Sequence, residues 1–310
     1  MDATATHSGM RFVEGRAAAN GLELAYDDRG DEDAPVVLLI MGLGTQLLGW
    51  PEAFCDGLAA EGFRVIRFDN RDIGLSTKIE GAGRQDGVRA AFVKSSLGLR
   101  VRAPYRLDDM ADDTLGLLDA LDIPAAHVVG ASMGGMIGQI LAARRPARVA
   151  SLTSVMSSSG ARGLPRGRLK VLMRLGSRPP STDREAAVEH LATTMRLIGS
   201  PGIQRSRAEW AELIRQGMAR SHYPAGTARQ LLAILASGSR EPLLREIARP
   251  SLVIHGDADP LVPPAHGEHT AACIPGARLE TIPGMGHDLP PVLVPELVGL
   301  IADHARAAGP

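Results

Sequence analysis

A serine hydroxyl becomes a nucleophile when a neighbouring base takes its proton. Gly130-Ala-Ser132-Met-Gly134 has the G-x-S-x-G spacing that could present such a serine. The pentapeptide follows the apolar run Ala126-His-Val-Val and precedes Met136-Ile-Gly-Gln-Ile-Leu-Ala, an apolar stretch of helical character. A strand-to-helix turn this tight holds the serine in backbone angles that only small neighbours tolerate, and Gly130, Gly134 and Gly135 are small. The hydroxyl then stands at the carboxyl edge of a sheet, ahead of a helix N-terminus.

The base should be a histidine further along the chain. Of nine histidines, His287 lies in the Gly/Pro-rich segment Pro283-Gly-Met-Gly-His287-Asp-Leu-Pro, directly after an expected strand. The imidazole in turn needs a carboxylate to fix its tautomer and stabilise its charged form. His255-Gly-Asp257-Ala-Asp259-Pro-Leu-Val offers two, Asp257 and Asp259. The segment after the strand that follows Ser132, Ser154-Val-Met-Ser-Ser-Ser-Gly, contains no carboxylate. His266 and His269 superficially suggest a metal pair, but the spacing is not H-E-x-x-H and no third ligand is evident. They are read as surface residues of a helix, while His255 ends a buried strand and His127 begins one. No metal and no organic cofactor is expected.

These residues need a scaffold to bring them together. From residue 36 onward, β-branched runs alternate with amphipathic stretches, the pattern of a parallel sheet covered by helices on both faces. Six buried strands are expected at Val36–Met41, Arg64–Phe68, His127–Gly130, Val149–Val155, Leu252–His255 and Arg278–Ile282. Phe12–Arg16 and Leu22–Asp27 form an expected antiparallel pair meeting near Asn20-Gly21, a hairpin signal. That makes eight. Asp109–Leu121 and Pro295–Ala307 have helical periodicity.

Two stretches interrupt the alternation. Residues 158–240 are mostly helical with no convincing strand, and are read as an inserted cap between core segments 1–157 and 241–310. Arg162, Arg166, Arg168, Lys170, Arg174 and Arg178 occur there with no acid among them. Glu80–Pro104 is a shorter insertion, basic and mildly amphipathic. Either stretch suits a solvated helix face beside a pocket, or contact with a membrane surface or an anionic substrate. Leu172, Met173, Leu191, Met195 and Leu197 could line an apolar pocket or form the core of the cap.

The 310 residues suffice for one large α/β domain with an insertion. With 45% apolar and 22% charged residues, extensive disorder is not expected. A net charge of −1 excludes the overall field that attracts nucleic acid. Cys55 and Cys273 are too few for a disulfide framework and are read as reduced core thiols. The longest strongly apolar run, Val36 to Gly44, is far short of the roughly 20 residues that span a bilayer. Met1 to Arg11 lacks the features of a signal peptide, so a cytoplasmic location is expected. Abundant arginine, alanine and glycine fit GC-rich, bacterial coding.

Taken with Gly42 and Gly44 in Ile40-Met-Gly-Leu-Gly-Thr, Gly49-Trp50-Pro51 and Phe68-Asp-Asn-Arg71-Asp-Ile-Gly74-Leu-Ser76, the chain resembles the α/β-hydrolase fold serine hydrolases. It is most similar to the branch of the aclacinomycin methylesterase and the cofactor-free haloperoxidase-type esterases. The resemblance covers residues 20–157 and 245–305, and hardly touches the cap. It implies an H-G-x-x-D turn, which favours Asp259 over Asp257 as partner of His287. It also implies an oxyanion hole made by the amides of Leu43 and Met133. Many relatives have His-Gly where this chain has Met41-Gly42, a change that leaves backbone donors intact. Asp69 and Arg71 are read as a structural polar pair holding their turn. The expected activity is hydrolysis of a small to medium apolar ester through an acyl-enzyme. C–C bond hydrolysis or perhydrolysis on the same three residues is an alternative, and a non-enzymatic ligand receptor a more distant one. Haloalkane dehalogenases and epoxide hydrolases need a carboxylate where Ser132 stands.

Overall fold

Every residue from Val36 to Ile40 is apolar and buried, as expected of a strand covered on both faces. Successive side chains point to opposite sides. Leu38 and Ile40 enter one core layer with Ile66 and Phe68, while Val37 and Leu39 enter the other with Trp50 and Phe54. The computed structural model describes residues 5–7, 10–81, 83–177 and 183–309. Arg178 lies outside them.

The described residues form one sheet of nine strands: β1 (Ala5–His7), β2 (Met10–Ala19), β3 (Leu22–Arg29), β4 (Val36–Ile40), β5 (Arg64–Phe68), β6 (Ala126–Ala131), β7 (Val149–Val155), β8 (Ser251–Gly256) and β9 (Arg278–Ile282). Their order is β1-β2-β3-β5-β4-β6-β7-β8-β9. From β5 to β9 all neighbours are parallel, whereas β1, β2 and β3 are antiparallel. The eight expected strands are all present, and β1 is a three-residue addition at the edge. Asn20 and Gly21 both have positive φ at the β2–β3 turn, as the hairpin requires.

The helices are α1 (Glu52–Ala60), α2 (Val88–Ser96), α3 (Leu107–Ala120), α4 (Met133–Arg144), α5 (Leu169–Leu175), α6 (Arg184–Ile198), α7 (Arg207–Arg220), α8 (Pro224–Ser237), α9 (Glu241–Leu244), α10 (Ala265–Cys273) and α11 (Val294–Ala308). Helices α3 and α4 cover one face of the sheet, and α1 and α11 the other. No helix among the described residues is long and apolar enough to cross a membrane.

Helices α5 to α8 lie between β7 and β8 and carry no strand among the described residues. Helices α6 and α7 have a small core of their own, Val188, Ala192 and Ala211 with Trp210 beside them. Helix α8 instead reaches inward. Ala233 joins the main core, and Leu232 packs with Ala91 of α2.

Asp69 and Arg71 do not pair with each other. The fully buried Asp69 carboxylate accepts from the Leu47 and Leu75 amides and pairs with Arg220 of α7 at 2.5 Å. Arg71 pairs with Asp113 of α3 at 2.6 Å. A carboxylate this deep requires a cation, and its cation comes from a helix 151 residues away that local sequence could not identify.

His127 of β6 is 3% exposed, 2.9 Å from the Ser151 hydroxyl and edge-on to the Phe63 ring. Burial, aided by His304, lowers its pKa to about 4. An unfolded imidazole near 6.5 takes up its proton first as pH falls. The contribution to stability is therefore complete above about pH 6.5 and lost progressively down to about pH 4. We expect His127→Gln to flatten the fall in Tm between pH 7 and 4.5, by about 2 °C or more. An unaltered slope in thermal melts would mean that this imidazole is solvated in the folded state.

Candidate active site

Ser132 joins β6 to α4 with φ 53° and ψ −115°, a conformation that L residues rarely adopt. Its neighbours must be small. A Cβ on Gly134 would stand 1.9 Å from the Ile40 carbonyl oxygen, and one on Gly130 would stand 2.2 Å from that of Gly134. The Ser132 amide donates to the Val155 carbonyl, and its own carbonyl accepts from the Ser157 hydroxyl at 2.6 Å. Sheet and helix thus hold the residue on both sides, leaving the side chain half-buried with its hydroxyl toward the loop after β9.

That loop carries His287. Its Nε2 is 3.0 Å from Ser132 Oγ, and its Nδ1 is 2.7 Å from Asp259 Oδ2. The other Asp259 oxygen accepts from the amides of Leu261 and Val262, both at 2.8 Å, which fixes the carboxylate in its turn. Asp257 points elsewhere: it is exposed, and its carboxylate accepts from the Gly284 amide. His255 comes within 3.7 Å of Asp259 but bonds the Val262 carbonyl at 2.8 Å, and burial lowers its pKa. The geometry brings together Ser132, His287 and Asp259, not Asp257.

Leu43 and Met133 flank this line. Gly42 lies against Ser132, so that a Cβ there would be 3.2 Å from the serine Cβ. Among the described residues, the amides of Leu43 and Met133 have no acceptor, unlike that of Gly44. Two free donors beside the serine can receive a developing oxyanion.

Several positioning groups had no local sequence signal. Gln230 of α8 is fully buried, accepts from the Gly44 amide at 2.9 Å and donates to the Arg71 carbonyl. Thr227, on the same helix, would meet a Cβ on Gly44 at 2.7 Å. The His287 amide donates to the Ile198 carbonyl, and the Gly286 amide to the Ser200 hydroxyl. Ser200 in turn donates to Asp288 through both its amide and its hydroxyl, and burial raises the Asp288 pKa. Partners 86 to 186 residues apart leave no periodic trace.

Other expectations are corrected. His266 and His269 are half-buried rather than on the surface. They bond the hydroxyls of Ser158 and Ser159, tying α10 to the segment after β7. Glu241 and Cys273 come within 4.8 Å of His269, a group of ligand types not apparent in sequence. Glu241, however, is engaged by Arg245, and His269 Nδ1 by Ser159. Cys55 is a core thiol, pushed up to about 12 by burial, but Cys273 is partly exposed. Leu172, Met173 and Leu191 are exposed, so they neither close a pocket nor fill the cap core, while Met195 and Leu197 are half-buried.

A family profile described as the alpha/beta hydrolase fold matches residues 35–291. The chain is 34% identical over 299 residues to the rhodomycin D methylesterase DauP of Streptomyces sp. (strain C5), covering 89% of this chain and 92% of that one. It is 30% identical over 278 residues to a Mycobacterium tuberculosis (strain H37Rv) protein that carries the name non-heme bromoperoxidase BpoC, covering 86% and 91%. The crystal structure of an enol-lactonase from Burkholderia xenovorans LB400 superposes with a TM-score of 0.72 at 25% identity, over 94% of this chain and all of that one. These matches agree with the branch suggested by the motifs.

Asp259→Asn is expected to lower kcat by about 10⁴, because the amide no longer selects the right imidazole tautomer. Asp257→Asn should stay within a few-fold of the parent, and a reversed order in steady-state assays would exchange their roles. Gln230→Ala should lower kcat about tenfold with little change in KM, since it frees the Gly44 amide and loosens the loop that carries the Leu43 amide. A change confined to Tm would make that glutamine purely structural.

Proposed function

Since the chain belongs to the α/β-hydrolase fold family, we propose that its hydrolysis of carboxylic esters runs through Ser132, His287 and Asp259. The observation that carries this reading is the continuous line of hydrogen bonds from Ser132 Oγ through both nitrogens of His287 to Asp259.

In the first half-reaction His287 Nε2 takes the proton as Ser132 Oγ attacks the ester carbonyl. Asp259 accepts from Nδ1–H and stabilises the imidazolium. The carbonyl oxygen becomes an oxyanion held by the amides of Leu43 and Met133, each worth about 3 kcal/mol in the transition state. As the C–O bond breaks, His287 returns the proton to the departing alkoxide, leaving Ser132 acylated. Water then repeats the sequence, with His287 as its base, and releases the acid. These steps call for no metal or organic cofactor.

The substrate we propose is an ester of an apolar acid with a small alcohol, a methyl ester above all. Support for the small leaving group is the likeness to a rhodomycin D methylesterase over nine-tenths of that protein's length. We further assign residues 158–240 the role of a cap, supported by Gln230, Arg220 and Ser200, each of which bonds a loop of the site or its underlying turn.

The test is turnover of p-nitrophenyl esters from acetate to palmitate, and of methyl esters of apolar acids, by parent and Ser132→Ala. Ser132→Ala should lose at least about a thousandfold in kcat while keeping its Tm. A folded parent that cleaves no ester but cleaves a vinylogous diketone would replace ester hydrolysis by C–C chemistry. Undiminished turnover by Ser132→Ala would remove the serine from the mechanism.

A further inference from the structure

Thirteen large apolar side chains are exposed among the described residues, and eight of them fall in two short segments. Phe92, Val93, Leu97 and Leu99 lie on and just after α2, and the other four lie on α5, where Leu169 is 71% and Met173 60% exposed. The orientation of α2 is the reverse of what core packing alone selects. Ala91 is fully buried against Leu232, while Phe92 and Val93 face outward. Helix α5 likewise buries Val171 and exposes its leucines.

The same segments carry one sign of charge. Residues 87–104 contain four Arg or Lys and no Asp or Glu, and residues 157–177 contain five and none, in a chain whose net charge is −1. Among the described residues only Lys94 of these nine joins an ion pair, with Asp86. The segments touch: a Cβ on Gly98 would lie 2.3 Å from the Arg162 guanidinium. They also border the site. The Arg168 amide donates to the Pro260 carbonyl, next to Asp259, and α2 packs on α8, the helix of Gln230.

We propose that α2, α5 and their flanking residues form a docking face for an anionic lipid surface. Leucines and Phe92 would enter the boundary between headgroups and acyl chains, while the exposed Arg162, Arg166 and Arg168 meet lipid phosphates. Arg174 is held by Thr194 and the His190 carbonyl. A second copy of this chain fits poorly, because a twofold contact would set cations against cations. A polyanion such as nucleic acid would meet the charges but leave the apolar side chains in water. Docked this way, the protein faces its Ser132 region toward the interface, so the ester it takes is one dissolved in the membrane. That last step rests on the proposed function. The docking itself does not, and is measured without turnover.

The experiment is cosedimentation of the full chain with vesicles of phosphatidylcholine alone or mixed with phosphatidylglycerol. The parent should bind the mixed vesicles at least about tenfold more strongly, and less so as salt rises. Phe92→Ser with Leu169→Ser, and separately Arg168→Glu with Lys170→Glu, should each lower binding about tenfold, with unchanged Tm. Phe92→Trp should bind as the parent does and shift its tryptophan emission to the blue on the vesicles. Absence of parental binding to the mixed vesicles overturns the proposal. So does binding that the Ser variants leave intact, which marks a generic polyanion site. A concentration-dependent dimer abolished by Leu169→Ser would assign the face to self-association instead.

Discussion

A serine at φ 53° and ψ −115° is held there against its own backbone preference, at about 1–3 kcal/mol. That strain persists only because its surroundings allow no other path. β6 enters the turn from the middle of a buried sheet, and α4 leaves it over glycines in contact with backbone. At Gly134 the Ile40 carbonyl leaves no room for a side chain. The registers of β4 and β6, the start of α4 and the placement of the Gly42–Gly44 loop are all tied to this one turn. A hydroxyl so fixed meets the imidazole of His287, from another loop, in one orientation.

The site is nevertheless not made by the sheet alone. Helices inserted between β7 and β8 reach it at three places, through Arg220 to Asp69, through Gln230 to Gly44, and through Ile198 and Ser200 to the His287 loop. Two of these contacts hold loops bearing the proposed oxyanion donors and base. A buried carboxylate such as Asp69 is stable only when paired, so displacing α7 would leave an uncompensated charge in the core. The helices between β7 and β8 are thereby coupled to the geometry of Ser132, His287 and Asp259.

The distribution of charge and apolar surface divides the molecule in another way. Buried ion pairs tie neighbouring strands together, as in Arg67 of β5 with Asp27 of β3, whereas the cations of residues 157–177 have no acid within their own segment. A near-neutral total of −1 conceals this asymmetry. Net charge bounds the class of partner, but only the folded arrangement decides which face a partner meets.

The amino-acid sequence by itself determined the features whose causes are local. Alternating apolar runs placed the parallel strands to within a residue or two, because burial on both faces demands them. The glycines around Ser132 marked the elbow, because no other residue fits, and the turn after β8 narrowed the acid to two candidates. Tertiary structure decided what depends on distant partners. It set Asp259 rather than Asp257 against His287, separated Asp69 from Arg71, and placed Gln230 under an amide 186 residues earlier in the chain. It also turned Phe92 outward and Ala91 inward, where amphipathic spacing alone could not say which face the core would take. A hydrogen bond between remote segments imposes no period on the sequence, so the sheet was legible while the shell that aligns its site was not.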